Sequence, residues 1–323
     1  MARRFPSTVK ELALILLASP ALFVAMMGFA FAAENTDPGH LIGIDQVPYI
    51  FDILVDPVEA DSILLATREG LYRTRGDGLA QRISQKQNSF WNITIEPKGM
   101  NRLYARGFAD DGRTAGVITS GDHGRTWQGF IPSGEKIAYL RLIEASKTTS
   151  GSLFGASHEL WRSSDGGHNW ESIGIPPNRI IDLTTSASES QRIFAATMSG
   201  LYVSDDGGLS WRPTGGARCQ QPVMTVDTGT DGTVYAFSLC AGFVRGDEVA
   251  DTWTVMNDRF GGCIIQHLAV DPQNSEQVYA VLGCRKVLVS VDGGLNWTAL
   301  GSQRAWKPNC VTNSTGYPEP NSS

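Results

Sequence analysis

Trp127, Trp170, Trp211, Trp253 and Trp297 recur at intervals of about 41–44 residues. A period in that range belongs to chains built from repeated four-stranded sheets. One such sheet cannot bury both of its faces alone, so the copies stack side by side and close into a ring. The expected fold class is therefore all-β: a single β-propeller of six four-stranded blades, with seven blades as the alternative.

Four of the five tryptophans close one octet, Ser-x-Asp-x-Gly-x-x-Trp. It is present as Ser120/Asp122/Gly124/Trp127, Ser163/Asp165/Gly167/Trp170, Ser204/Asp206/Gly208/Trp211 and Ser290/Asp292/Gly294/Trp297. Strand-like runs flank each copy, Gly200-Leu201-Tyr202-Val203 before and Trp170-Glu171-Ser172-Ile173 after, so the octet occupies the hairpin between third and fourth strands. The Asp accepts hydrogen bonds from turn amides and from the Ser hydroxyl. The Gly takes a positive φ, and the Trp ring covers the turn. On this reading Asp122, Asp165, Asp206 and Asp292 are clasps, and neither catalysts nor metal ligands. Turns such as Ser204-Asp205-Asp206-Gly207-Gly208 lack the ligand series and terminal Glu of an EF-hand loop.

The octet resembles the Asp-box, or BNR, repeat of bacterial sialidases, sortilin-type receptors, xyloglucanases and the photosystem II assembly and stability factor family. The resemblance spans roughly residues 41–302 and rests on the repeat alone.

The chain has 323 residues and a net charge of −6. One large domain plus flanking segments fits that length, and the acidic balance without a basic run argues against nucleic-acid binding. Residues 1–33 carry Arg3, Arg4 and Lys10 ahead of an apolar stretch from Leu12 to Ala33, ending in Ala30-Phe31-Ala32. This is the pattern of an export signal, either cleaved or kept as an N-terminal membrane anchor, Pro20 dividing an apolar run of about 22 residues. No Cys follows, which excludes a lipoprotein. The repeat domain is expected outside the cytoplasm: periplasmic, secreted, or anchored and facing outward.

The propeller is expected over 41–302, followed by a Pro/Asn/Ser-rich tail at 303–323 that reads as disordered. Two turns have drifted from the octet: Thr74-Arg75-Gly76-Asp77-Gly78 in blade one, and Gly246-Asp247-Glu248-Val249-Ala250-Asp251-Thr252-Trp253 in blade five, where a looser hairpin is expected. Leu41-Ile42-Gly43-Ile44-Asp45 reads as an outer strand that joins the last blade and closes the ring, or as the remnant of a seventh.

Five cysteines stand at 219, 240, 263, 284 and 310. Cys219 with Cys240, and Cys263 with Cys284, occupy equivalent places in blades five and six, and two intrablade disulfides are expected. Such bridges fit an oxidising compartment. Cys310 is left over.

Ligands of propellers usually meet the face that carries the second-to-third hairpins and the segments leading into the inner strands. Mapped onto the repeat, that face offers Arg68, Arg106, Asp110, Arg113, His158, Arg179, Arg218, Arg259 and Arg285. Arginine forks suit carboxylates and acidic side chains; local pairing with neighbouring acids is the competing account. The resemblance implies an extracytoplasmic, non-enzymatic adaptor or chaperone-like factor that binds a protein partner, such as a membrane-protein subunit. The alternative is a sialidase- or xyloglucanase-like glycoside hydrolase acting on extracellular glycans, with Glu69, Asp110, Asp111 and Glu159 as candidate carboxylates. The sialidase Arg-Ile-Pro signature is missing, where Val47-Pro48-Tyr49-Ile50 stands instead. No catalytic residue, metal or cofactor is expected.

Overall fold

The computed structural model describes residues 39–85, 88–96, 102–108, 114–130, 140–216, 220–249, 251–258, 260, 262–283 and 285–307. Residues 1–38 and those beyond residue 307 lie outside them. Among the described residues no helix is long and apolar enough to cross a membrane.

Six antiparallel sheets follow one another along the chain. Blade one contains β1 (Leu41–Gly43), β2 (Ile50–Val55), β3 (Ser62–Thr67), β4 (Gly70–Arg75) and β5 (Leu79–Arg82). Blade two contains β6 (Ser89–Ile95), β7 (Leu103–Phe108), β8 (Thr114–Ser120) and β9 (Gln128–Phe130). Blade three contains β10 (Leu142–Ala145), β11 (Leu153–Ala156), β12 (Leu160–Ser163) and β13 (Glu171–Gly174). Blade four contains β14 (Ile180–Thr185), β15 (Ile193–Thr197), β16 (Gly200–Ser204) and β17 (Arg212–Thr214). Blade five contains β18 (Val223–Thr228), β19 (Thr233–Ser238), β20 (Gly242–Asp247) and β21 (Trp253–Asn257). Blade six contains β22 (Ile265–Asp271), β23 (Asn274–Leu282), β24 (Lys286–Ser290) and β25 (Thr298–Ala299). The chain is a six-bladed propeller.

Second strands such as Leu64-Leu65-Ala66 and Val278-Tyr279-Ala280 are apolar on both sides and fully buried, because each sheet is covered by the blades before and after it. The inner strands β2, β6, β10, β14, β18 and β22 adjoin in turn, and β22 returns to β2. That last junction is apolar: Ile53, Val55 and Tyr72 of blade one pack with Ala269, Tyr279, Val281 and Leu300. Gly78 and Gly301 meet there so closely that a side chain on either would strike the other's backbone.

The first strand does not join the last blade. β1 pairs with β5, Leu41 opposite Gln81 and Gly43 opposite Leu79, as a fifth strand of blade one. The edge of blade six is already occupied: Thr298 bridges to Ala305, and the Trp306 amide donates to the Trp297 carbonyl at 2.7 Å. The ring therefore closes by packing, with each four-stranded sheet built from contiguous chain.

The four octets form the third-to-fourth turns and share one hydrogen-bond set. In blade six, Ser290 Oγ donates to Asp292 Oδ1 at 2.8 Å, and the Gly294 amide donates to Ser290 Oγ at 2.8 Å. The Asn296 amide and side chain reach Asp292 at 2.9 and 2.8 Å, while Trp297 Nε1 donates to the Gly294 carbonyl at 3.0 Å. Hydrogen bonds from Asn169 and Ser163 hold the Asp165 carboxyl down at about 2, and those from Ser210 and Ser204 do the same for Asp206. Gly294 has φ +90°, and a Cβ there would run into the Phe243 ring of the preceding blade. The turn thus packs one blade onto the previous one as well as closing its own hairpin.

Blade five keeps the Trp but changes the clasp. Glu248, at the place of the clasping Asp, is buried and accepts from Ser188 Oγ of blade four. Asp251 accepts from Thr214 Oγ1, and Arg192 Nη1 donates to the Glu248 carbonyl at 3.2 Å. The hairpin expected to be loose is instead bracketed to its neighbour.

Cys240 carries a free, exposed thiol, so the expected bridge to Cys219 is not formed. In blade five Val223 faces Ser238 and the Leu239 amide donates to the Pro222 carbonyl. Cys240 therefore falls opposite Gln221, out of step with residue 219, although the spacing in sequence equals that in blade six. Cys263 is buried and disulfide-bonded. Cys219, Cys284 and Cys310 lie outside the described residues.

Candidate functional site

Antiparallel pairing throughout each blade sends the first-to-second loops and the octet turns to one face of the ring. The second-to-third hairpins and the segments leading into the inner strands lie on the other. On this loop face Arg68 is exposed in the β3–β4 turn, His158 in the β11–β12 turn and Arg285 in the β23–β24 turn. Arg179 is half-buried just before β14, beside Asn178, whose Nδ2 donates to Ser199 Oγ at 2.8 Å. Asp110, Arg113, Arg218 and Arg259 fall outside the described residues.

Arg106 is not on the loop. It lies within β7, opposite Asn92 and Val117, and is 3% exposed. Burial pulls its guanidinium down to about 10. Arg106 faces Asn92 just past the bulge, as Ala66 faces Asp52 and Ala196 faces Asp182, so it holds a second-strand position that is interior in the other blades too. Arg141, which no feature of the repeat singles out, leads into β10 and is exposed.

A second set of polar groups, unforeseen from sequence, lines the central channel. The inner strands β2, β6, β14, β18 and β22 share a register shift at one place, between Ile50/Asp52, Phe90/Asn92, Ile180/Asp182, Val223/Thr225 and Ile265/His267. Past each bulge the side chains Asp52, Asn92, Asp182, Thr225 and His267 form a polar tier. The innermost edge of a sheet has no strand partner for its amides, and this tier supplies acceptors. Asp52 Oδ2 accepts from the Ile93 amide at 2.9 Å and from Asn92 Nδ2 at 2.7 Å. Asn92 Oδ1 accepts from the Ile143 amide at 2.7 Å, and Asp182 Oδ2 from the Val226 amide at 3.0 Å. Two residues further on, Thr94 Oγ1 accepts from the Ala145 amide and Asp227 Oδ2 from the Val270 amide. Each tie joins one blade to the next.

Blade three has Leu142 in this tier, which cannot accept, and the following amide at Leu183 is met by Asp182 Oδ1 at 2.9 Å. At the ring's closure Asp52 Oδ1 likewise accepts from its own neighbour Ile53 at 2.9 Å, with His267 Nδ1 3.6 Å away. Lys147, in the β10–β11 loop, spans blade four entirely. Its Nζ donates to Asp227 Oδ1 at 2.6 Å and to the Thr228 carbonyl and hydroxyl at 2.8 Å each.

Burial pushes Asp182 up to about 6, although hydrogen bonds from Thr225, Val226 and Leu183 oppose it. Burial likewise pushes Asp52 up to about 7, against the Ile93 hydrogen bond and helped by the charge of Asp182. Glu144 is raised well above the usual carboxylate range, chiefly by burial. Burial holds His267 down at about 4. A carboxyl that is easier to protonate folded than unfolded stabilises the fold as pH drops through its folded value. His267 binds its proton less readily when folded and offsets Asp52, which leaves Asp182 and Glu144 to set the slope. Between about pH 7.5 and about pH 4.5, Asp182 alone should add about 2 kcal/mol of stability. Chemical denaturation at the two pH values should show that gain, and Asp182→Asn should lose about that much of it. A wild-type stability that falls over this range would contradict the assignment.

No family model matches the chain, and no curated protein does. Among solved structures, the GH74 xyloglucanase from Xanthomonas campestris superposes with TM-score 0.56 at 21% identity, covering 80% of this chain and 46% of that one. YCF48 bound to a D1 peptide superposes with TM-score 0.53 at 18% identity, covering 83% and 88%. YCF48 from Cyanidioschyzon merolae gives 0.51 at 15%, covering 80% and 87%. This chain spans less than half the length of the xyloglucanase. At these identities the likeness shows the propeller fold.

Proposed function

We propose that this chain is an extracytoplasmic binding propeller that recognises a protein partner through the cations of its loop face. The observation that carries this reading is the separation of charges. The channel acids already have work, accepting amides of neighbouring blades, whereas Arg68, Arg179 and Arg285 stand on the loop face in blades one, four and six. A neighbour of the same fold and similar length holds a peptide, which agrees with a protein ligand. The octet turns support kinship with the Asp-box propellers, and with the photosystem II assembly factors among them.

The hydrolase reading draws on the GH74 neighbours. It needs two carboxylates about 5–10 Å apart across an open cleft. Glu69 and Glu159 belong to blades one and three, which are not adjacent, and Glu159 Oε2 accepts from Ser172 Oγ at 2.9 Å. Binding is the better-supported reading.

Export agrees with the leader and with a disulfide at Cys263. We take Cys284 as its partner, from the spacing of the two cysteines in the repeat.

The test is affinity capture from the native extracytoplasmic fraction with the wild-type domain and with Arg68→Glu/Arg179→Glu/Arg285→Glu. Reversing three such contacts, at about 1 kcal/mol each, should weaken partner binding by about 100-fold while leaving the melting temperature within about 3 °C. A partner held equally by both proteins would refute the assignment. Arg106 is unsuitable for such reversal, because a carboxylate in its place would be buried.

A further inference from the structure

We propose that the mouth of the central channel is an additional recognition site, one that takes a peptide segment presenting an apolar or aromatic side chain next to a carboxylate. The proposal rests on the protein-binding reading above and narrows it to a different set of residues.

The bulge in each inner strand leaves one residue without a cross-strand partner, and a bulge re-aims the side chain it carries. Those residues are Phe51, Trp91, Ile181, Met224 and Gln266. In blade three the same place belongs to Arg141: Leu142 faces Ala156 as Asp182 faces Ala196, and the Arg141 amide donates to the Ala156 carbonyl at 2.8 Å. Five of the six blades thus contribute to one tier at the loop-face end of the channel; Met224 of blade five is the exception, 5% exposed and packed in the core with Tyr235, Phe237 and Phe243.

This tier is more open than the strands around it. Ile50, Phe90, Val223 and Ile265, each directly before a bulge, are 0% exposed, whereas Phe51, Trp91, Ile181 and Gln266 are half-buried. Both faces of every sheet are covered by neighbouring blades, so solvent reaches an inner strand from the channel side. The exposed parts of these side chains therefore face the mouth. Tyr49, whose ring lies 4.9 Å from that of Phe51, extends the aromatic wall on blade one.

The tier holds one charge. Arg141 is exposed, its guanidinium has no hydrogen-bond or ion-pair partner among the described residues, and desolvation lowers its pKa. An exposed cation in a tier otherwise made of aromatic, aliphatic and amide side chains fits a carboxylate carried beside an apolar group. Guanidinium–carboxylate forks and Arg–aromatic packing both favour that pairing. The acids deeper in the channel are tied to backbone amides and repel a second carboxylate, which restricts the ligand's acid to the mouth.

The experiment is selection from a phage-displayed library of random heptapeptides against the wild-type domain, Arg141→Gln and Trp91→Ala, with melting temperature as a check on folding. Arg141 is exposed, so its replacement should leave the fold intact. Wild type should enrich peptides with Asp or Glu within two positions of an aromatic, Leu or Met. A synthetic enriched peptide should bind at least tenfold more weakly to Arg141→Gln and to Trp91→Ala. Enrichment of basic peptides, no enrichment, or equal binding to all three proteins would overturn the proposal. Loss of the native partner on reversal of Arg68, Arg179 and Arg285, with no effect of Arg141→Gln on any peptide, would leave the loop-face reading standing and remove this one.

Discussion

Replacing Lys147 with Met is expected to cost about 3 kcal/mol of folding stability, a large fraction of the margin of an ordinary domain. Its ammonium makes three short hydrogen bonds to Asp227 and Thr228, and its charge opposes the burial that raises Glu144. Without it, two carboxyls stand in the channel uncompensated, and breaking a shielded pair is far more damaging than removing both members. Denaturant titration at neutral pH should show the loss. Lowering the pH should restore part of it, because Glu144, already raised, takes up a proton and the remaining repulsion disappears. A loss below about 1 kcal/mol would place Lys147 among ordinary surface cations.

Trp297→Ala should be as damaging, at about 4 kcal/mol. The ring is 3% exposed, packs edge-on to Phe243 at 5.1 Å and against Phe260 at 6.1 Å, and ties its Nε1 to the Gly294 carbonyl. Those contacts bind blade six to blade five next to the place where the ring closes without a shared strand. Trp127, Trp170 and Trp211 hold the same place in the repeat but are only half-buried, so their Ala variants should lose about half as much. Equal losses at all four positions would show that the turn alone, rather than the packing between blades, governs the effect.

The repeat was legible because it depends on local rules. A Ser, an Asp, a Gly and a Trp at fixed spacing make the same turn wherever they occur, and four copies settle both the period and the fold. The drifted turn of blade five misled for the same reason: Glu248 and Asp251 satisfy blade four, a non-local relation that spacing does not encode. The first strand misled because β25 is short and its outer edge is taken by residue 305. Equal cysteine spacing is not equal register, because blade five pairs two residues out of step with blade six. Arg106 misleads because a charged residue fills a second-strand position held by Ala66, Ala196 and Phe237 in other blades, and its charge reads as a loop residue.

The channel tier was legible in principle. Asp52, Asn92, Asp182, Thr225 and His267 all interrupt apolar strands at one repeat position, between residues such as Ile50 and Ile53 or Ile180 and Leu183. A polar residue recurring inside an otherwise buried strand has to meet a polar partner, and a ring of inner edges supplies that partner as unpaired amides. The bulge was not legible, because one extra residue in a strand leaves no mark on a period that already varies by a few residues.

Charged groups in the channel hold the blades together across the ring. A double-mutant cycle on Lys147→Met and Asp227→Asn, read as unfolding free energy, tests that role most directly, since the two residues belong to blades three and five. The expected coupling is at least about 1.5 kcal/mol, with the double variant more stable than Lys147→Met alone. Additive losses, with a coupling below about 0.5 kcal/mol, would contradict it.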